Sequence, residues 1–243
     1  MEVYSISFSK DDLVQLKEHK LILQLGHMCN EIAFLHKLLI AVSDTERPGI
    51  ERTGATAQAM IVSRIFIGKV FEAWLMLGKE YFGTDLPKEF GDEISGDAKE
   101  ALDRLRKSFG STNLLSIIRN KFAFHYLSEH IDEIMGLIPD EMQMRLITGG
   151  RNDNTLYSFA EDVITYAMLN RTGESTPQQA MDKLIGTLVS VSGDLLNFST
   201  ELLAVILHRR LKVPLEQCEW LHHSLESVAD LNTFRIPFFF ERS

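Results

Sequence analysis

Apolar residues recur with helical spacing through most of the first 140 positions. From Ser9 to about Val42 they fall three to five residues apart, as a helix with one buried face requires. The series consists of Leu13, Leu16, Leu21, Leu25, Met28, Ile32, Leu35 and Leu39. Because the Ser9 hydroxyl can cap a helix and Asp12 can support its first turn, one long helix is predicted from Ser9 to about Val42.

A second long helix is predicted from about Glu51 or Thr56 to Tyr81. Its segment AMIVSRIFIGKVFEAWLML is apolar on nearly all sides, which is typical of a central helix. A shorter, charged helix follows in GDAKEALDRLRKSFG and ends at Gly110.

Two further helical pieces complete this part of the chain. Ser111 or Thr112 can cap the first, which carries the stretch IRNKFAFHY, and the second, SEHIDEIMGLIP, ends at Pro139. Successive helices with short connections favour an antiparallel bundle. We therefore expect an all-α fold whose helical core spans residues 1–140.

The pattern changes after about residue 140. The segments MQMRLITGG and NTLYSF flank a turn rich in Gly, Asn and Asp, which predicts a short β-hairpin. Helix returns over about 159–170. Thr176, Pro177 and Gln179 then read as cap, first-turn proline and capping-box glutamine of a long helix that reaches about Leu211.

The chain ends with a predicted helix and an apolar tail. Pro214 begins the helix LEQCEWLHHSLESVADL, and NTFRIPFFFERS follows it. Such a tail packs either inside the monomer or on a partner subunit. Residues 141–243 are expected to pack on the core of residues 1–140 as a hairpin plus C-terminal helices, or to form a single domain with it.

Composition limits the classes of function. The 243 residues are 45% hydrophobic, enough for a substantial core, and contain no apolar run of membrane-spanning length. The start, MEVYSISFSKDD, has no secretory pattern, so a cytoplasmic location is expected. A net charge of −9 opposes a large nonspecific nucleic-acid footprint but allows a site that grips one or two phosphates.

Metal and cofactor chemistry has little support in the sequence. Cys29 and Cys218 are the two cysteines, and both are expected to be reduced thiols packed as small hydrophobic groups. Cys218 and His222 have helical i, i+4 spacing, but a structural zinc site needs four ligands and no second pair is nearby. No phosphate-binding loop, dinucleotide-binding fingerprint or hydrolase elbow is present. We expect neither a metal nor a cofactor.

The stretch IRNKFAFHY, residues 118–126, carries the candidate chemistry. An Arg followed by a His at this spacing is expected about once by chance in such a chain, so the weight lies on its context. That context is the adjacent Asn120, the basic Lys121, the neighbouring aromatic residues and the position on a helix of a bundle. RNKFAFHY resembles the motif of the HEPN superfamily of helical-bundle proteins, in particular of its abortive-infection and toxin-antitoxin members. Arg119, Asn120 and His125 match the motif positions.

The resemblance implies a metal-independent endoribonuclease, often a homodimer with two motifs facing each other, and an antitoxin protein as a further partner. RNA carries its own nucleophile in the 2′-hydroxyl, so the protein needs only to move protons and stabilise charge on the phosphate. His125 is the candidate general base or acid, and Arg119 the group that neutralises the phosphate. Asn120 would orient the phosphate or the imidazole, Tyr126 would donate a hydrogen bond or stack on a base, and Lys121 would bind the substrate.

Helix geometry favours a site shared between subunits. At 100° per residue, the six steps from Arg119 to His125 rotate about 240°, so the two side chains diverge on a straight helix. A site within one subunit needs an irregularity near the helix end. Otherwise the motifs of two subunits combine across a twofold interface, and this is the arrangement that we prefer.

Other interpretations remain open. Arg119 and Asn120 can bond neighbouring helices while His125 lies in the interior, which favours a noncatalytic HEPN-like module that binds a nucleotide or a protein. Glu72 and Lys69 either support the site with their charges or form a core ion pair. The basic cluster at His208–Arg210 either meets the helix dipole or guides RNA. A dimerising scaffold built on the FFF tail is a third class.

Overall fold

The computed structural model describes residues 1–44, 46–110, 113–123, 131–211, 219–231 and 233–241. The α-helices of this described part are α1 (Lys10–Val14), α2 (His19–Val42), α3 (Gly49–Leu77), α4 (Leu86–Phe90), α5 (Gly96–Phe109), α6 (Leu114–Ile118), α7 (Ile131–Met135), α8 (Ser158–Asn170) and α9 (Pro177–Arg210). The strands are β1 (Glu2–Ser5), β2 (Ile147–Thr148), β3 (Thr155–Leu156) and β4 (Leu221–Ser224). The fold is thus mostly helical, as predicted.

The first predicted helix is two helices. Ser9 and Asp12 form the expected capping box at the start of α1, but the chain leaves helical geometry after Val14 and resumes at His19. The interval between successive apolar positions is longest here, because Leu21 lies five positions after Leu16, more than one helical turn. The prediction of one helix to Val42 was therefore wrong at this point.

Helices from both sides of residue 140 build one hydrophobic core. Helix α9 packs along α2 and α5 and also contacts α3, and α2 packs on α3. The core residues without solvent exposure include Leu25 of α2, Phe66 of α3, Leu105 of α5 and Phe198 of α9. Thr176 caps α9 with Pro177 in its first turn, as predicted.

The predicted hairpin is confirmed, and the last predicted helix is not. Strands β2 and β3 pair antiparallel, with Ile147 opposite Leu156. The turn between them contains Gly150, which has a φ of 78°. The final helix was wrong over its described part, because β4 pairs antiparallel with β1, Glu2 opposite Ser224. The long-range pairing with the N-terminal strand overrides local helical propensity.

The apolar tail packs against the helices and the hairpin of the same chain. The Ile236 N–H donates to Ala41 O at 2.9 Å, and the Asn154 amide exchanges two hydrogen bonds with the backbone of Phe240. Phe238 lies against Gly54 of α3. Phe234, Ile236 and Phe240 of the tail nevertheless remain between 36% and 48% exposed.

One helix of the described chain, α9, is long and apolar enough to cross a membrane by length and composition. Its most apolar window has a mean hydropathy of 1.3, and 39% of that window is buried inside the protein. The core helix of a soluble protein passes the same test, and α9 supplies a large part of the core described above.

Candidate functional site

The motif begins where its helix changes hydrogen-bonding pattern. Asn113, and not Ser111 or Thr112, caps α6, and its side chain accepts a hydrogen bond from the Ser116 N–H at 2.9 Å. Ser111 and Thr112 themselves lie outside the described residues. From Arg119 to Ala123 the backbone forms a π-helical turn, a local widening that is frequent at functional sites.

Arg119 is anchored by three neighbouring groups. Its Nη2 donates to Glu72 Oε1 at 2.6 Å and its Nη1 donates to Asn120 Oδ1 at 3.0 Å. Its Cζ lies 5.4 Å from the centroid of the Phe71 ring, within cation–π range. The side chain is 30% exposed, so it remains accessible to a ligand.

Arg119 also has a buried polar atom to account for. Its Nε is buried and forms no hydrogen bond with the described residues. A buried N–H without an acceptor costs about 1–3 kcal/mol. Among the described residues, the buried Nε–H thus has no acceptor, while each of the two terminal nitrogens donates one hydrogen bond.

The structure brings two of the predicted site residues together. Arg119 and Asn120 are in contact, and Asn120 is exposed. Lys121 lies on the same π turn with its side chain partly buried. His125 and Tyr126 lie outside the described residues, so their predicted roles stay predictions.

Glu72 and Lys69 of α3 do not form a core ion pair with each other. Glu72 pairs with Arg119, and the Lys69 ammonium pairs with Glu31 of α2 at 2.6 Å. Their side chains are 49% and 39% exposed. Of the two alternatives for Lys69 and Glu72, the core ion pair is wrong, and Glu72 contacts Arg119 of the motif instead.

Glu72 also lines an open groove between α2 and α3. The groove encloses about 170 Å³. Its apolar residues are Met28, Ile32, Ala73 and Met76, and its polar residues are Gln24, His27, Glu31, Lys69 and Glu72. Because Glu72 bonds Arg119, the motif lies at the edge of this groove.

No family model, curated protein or solved structure matches this chain.

Among the described residues, no group of three or more His, Cys, Asp and Glu side chains could hold a metal ion. Cys29 is a free thiol, and burial raises its pKa to about 11, so it is a poor nucleophile and a poor ligand near neutral pH. Cys218 is not among the described residues. His222 lies on strand β4, where its ring contacts Tyr4, rather than on the predicted helix.

The basic cluster at the end of α9 is paired with carboxylates. Arg209 binds Glu93, and Arg210 binds both Glu18 and Glu89. These contacts favour a structural role for the two arginines over guidance of RNA.

The sequence did not single out His27 and Glu31 as site residues. They are four residues apart on α2, which places them on one helix face, and His27 Nε2 lies 3.6 Å from Glu31 Oε2. Their spacing in the sequence could have indicated this pair. The ion pair between Glu31 and Lys69 could not be predicted from spacing, because it joins positions 38 residues apart.

Proposed function

We propose that this chain is a HEPN-like, metal-independent endoribonuclease of a defence or toxin-antitoxin system, active in the cytoplasm as a homodimer. One observation carries the proposal: Arg119 and Asn120 lie in contact on a π turn at the accessible edge of an open groove. A guanidinium and an amide held side by side suit the recognition of a phosphate.

The reaction uses the 2′-hydroxyl of the RNA as nucleophile. His125 as general base takes the 2′-hydroxyl proton, the oxygen bonds to phosphorus, and the bond to the 5′-oxygen breaks. A second His125, acting as general acid, gives its proton to the departing 5′-oxygen. The products are a 2′,3′-cyclic phosphate and a 5′-hydroxyl, and no step of this reaction uses a metal ion. Arg119 stabilises the charge on the phosphate oxygens.

Glu72 must release Arg119 before a phosphate can take its place. The pair is partly exposed, and exposed ion pairs contribute only about 0–1 kcal/mol. A phosphate oxygen that accepts a charge-assisted hydrogen bond replaces the carboxylate at little cost. Lys121 on the same turn adds a positive charge close to the bound RNA, and Tyr126 supplies a hydrogen bond or a stacking surface.

A twofold dimer supplies two histidines and two arginines to one cleft. The rotation of about 240° between Arg119 and His125 on a regular helix favours a site shared between subunits, although the π turn changes this angle. An antitoxin protein is the further partner implied by the resemblance, and occupation of the same cleft would silence the enzyme.

The alternative is a noncatalytic HEPN-like module that binds a nucleotide or a protein. It is favoured by the Glu72 carboxylate, which already neutralises Arg119 at 2.6 Å. In this alternative, the ion pair ties the π turn to α3 and no phosphate displaces it.

Cleavage of single-stranded RNA in the presence of EDTA tests the proposal. The parent protein is expected to cut, while Arg119→Ala and His125→Ala cut at least about 100-fold more slowly. Arg151→Ala, on the exposed hairpin, and His208→Ala, on the exposed face of α9, remove the same residue types elsewhere and are expected to cut normally. If His125→Ala cuts as fast as the parent, the assignment is wrong.

An equal mixture of parent and His125→Ala subunits, compared with the same total amount of parent protein, tests the shared site. Because one cleft uses both His125 side chains, only the dimers with two parent subunits cut RNA, and the mixture is expected to keep about a quarter of the parent activity. If the mixture keeps about half, each subunit contains a complete site of its own.

A further inference from the structure

We propose that the groove between α2 and α3 binds a second phosphate of the RNA strand, beside the one at Arg119. Lys69 supplies the positive charge that binds this phosphate, and His27 donates a further hydrogen bond. When no RNA is bound, the Glu31 carboxylate occupies the position of the phosphate. This inference rests on the proposed function, because it extends the path of the same RNA strand beyond the cleavage motif.

Two ion pairs that involve α3 place the groove close to the motif. Arg119 contacts Glu72, and Lys69 lies three residues before Glu72 on α3. Side chains three residues apart are neighbours on a helix face, with Cβ atoms about 5–6 Å apart. Lys69 therefore lies close to the Arg119 site, and two cations placed in this way suit two phosphates of one strand.

Each cation is held at 2.6 Å by one carboxylate, Lys69 by Glu31 and Arg119 by Glu72. A carboxylate and a phosphate present similar oxygens to a cation. The four side chains are between 30% and 49% exposed, so each pair is weak and open to exchange. The two glutamates therefore act as internal competitors for the RNA.

His27 completes the polar edge of the groove. Its Nε2 lies 3.6 Å from the same Glu31 that holds Lys69, and its side chain is 74% exposed. When a phosphate displaces Glu31, the imidazole N–H faces an acceptor in the carboxylate's former position. His27 and Lys69 then bind one phosphate together.

The floor of the groove and the charge of the chain favour a single strand. Met28, Ile32, Ala73 and Met76 give an apolar surface for a ribose or a base, as in other single-strand sites. A net charge of −9 opposes a wide contact with duplex phosphates. Binding of only two phosphates, one at Arg119 and one in the groove, is compatible with this negative net charge.

Binding of a ten-nucleotide, fluorescently labelled single-stranded RNA to full-length His125→Ala protein tests the proposal, because this variant leaves the RNA uncut. Anisotropy is measured over a range of KCl concentrations. Lys69→Met is expected to weaken binding about five- to tenfold and to lower the salt slope by about one. Lys79→Met removes an 82% exposed lysine beyond the groove and is the matched control, with less than about twofold effect.

Glu31→Gln is expected to have the opposite effect on RNA affinity. It frees Lys69 and His27 from their shared carboxylate and is expected to tighten binding about threefold. Glu80→Gln changes the net charge by the same one unit next to Lys79 and should leave binding unchanged. Circular dichroism of each variant confirms that the helices are intact.

The outcomes separate the two proposals. If Lys69→Met and Lys79→Met bind alike while Arg119→Ala binds poorly, the groove proposal is overturned and the proposed function stands. If Lys69→Met weakens binding but the parent protein never cuts, the groove proposal stands and the ribonuclease assignment fails. Absence of RNA binding by the His125→Ala protein overturns the groove proposal, and if the parent protein also cuts no RNA, both proposals fail.

Discussion

Arg119 shows how one side chain can serve either folding or chemistry. Its guanidinium contacts Glu72, Asn120 and Phe71, and these contacts fix its position on the π turn. The same contacts leave it 30% exposed at the edge of the groove. Removal of a structural arginine lowers the free energy of unfolding more than removal of an arginine that mainly binds phosphate.

We expect Arg119→Ala to lower the free energy of unfolding by about 1 kcal/mol, because its ion pair is exposed and its cation–π contact is modest. Arg64→Ala is the contrast, since Arg64 is 11% exposed and paired with Glu161, and loss of a buried partner costs about 3 kcal/mol. Urea unfolding of both variants measures the two losses. Equal losses would favour the noncatalytic alternative for Arg119.

Helix α9 is locked to two other elements at its C-terminal end. Arg210 donates two hydrogen bonds to Glu18, at 3.0 and 2.8 Å, and also contacts Glu89 of α4. Arg209 and Arg210 lie over the ring of the fully buried Phe90. Glu18 lies in the break between α1 and α2, so the interruption of the first predicted helix coincides with this contact.

The Glu18 carboxyl makes the stability of this junction depend on pH. Burial works to raise its pKa, but the hydrogen bonds and charge of Arg210 outweigh burial and hold the pKa below its ordinary value near 4.5. The stabilisation is therefore fully present above about pH 4.5 and is lost as the pH falls through the lower folded-state pKa.

We expect Glu18→Gln to lower the free energy of unfolding by about 3 kcal/mol at pH 7, because the Glu18 side chain is 2% exposed. The difference from the parent should shrink as the pH falls below about 4.5, because Glu18 of the parent becomes protonated as the pH passes through its lowered folded-state pKa. Urea unfolding at each pH measures it. Glu100→Gln, at a 77% exposed position, is the control. A difference that stays constant with pH would contradict the assignment.

The tail connects distant parts of the molecule. Residues 236–240 contact Ala41 at the end of α2, Gly54 and Gln58 of α3, and Asn154 of the hairpin. Gly54 permits this approach, because a Cβ at this position would lie 2.8 Å from Phe238 Cβ. The tail therefore adds tertiary contacts that hold the hairpin next to the helices.

Gly54→Ala is expected to lower the free energy of unfolding by about 1 kcal/mol and to loosen the tail, because the added methyl group collides with Phe238. Gly186→Ala is the matched control, since it lies inside α9 with open space around it. There the usual helix preference for alanine should add about 0.5–1 kcal/mol. Thermal unfolding and the rate of tryptic cleavage at Arg235 measure both effects. A stabilised Gly54→Ala protein with an unchanged cleavage rate would contradict this packing.

Part of the candidate site could be predicted from the sequence. Arg119 and Asn120 are adjacent, so their contact depends on few other residues. Glu72 was a candidate support because it lies on the most apolar helix, and it does contact Arg119. His27 and Glu31 were missed as a pair with Lys69, because local spacing does not indicate which helix face meets which neighbour.

Elements that depend on contacts between residues close in sequence could be predicted from the sequence. The caps at Ser9 and Thr176, the apolar face of α2 and the turn at Gly150 each involve side chains a few residues apart, so the sequence alone predicted them. The break before His19, the β1–β4 pair and the position of the tail depend on contacts between residues far apart in the chain. Only the tertiary structure decided these, because a distant partner such as Arg210 or β1 changes which local conformation has the lowest free energy.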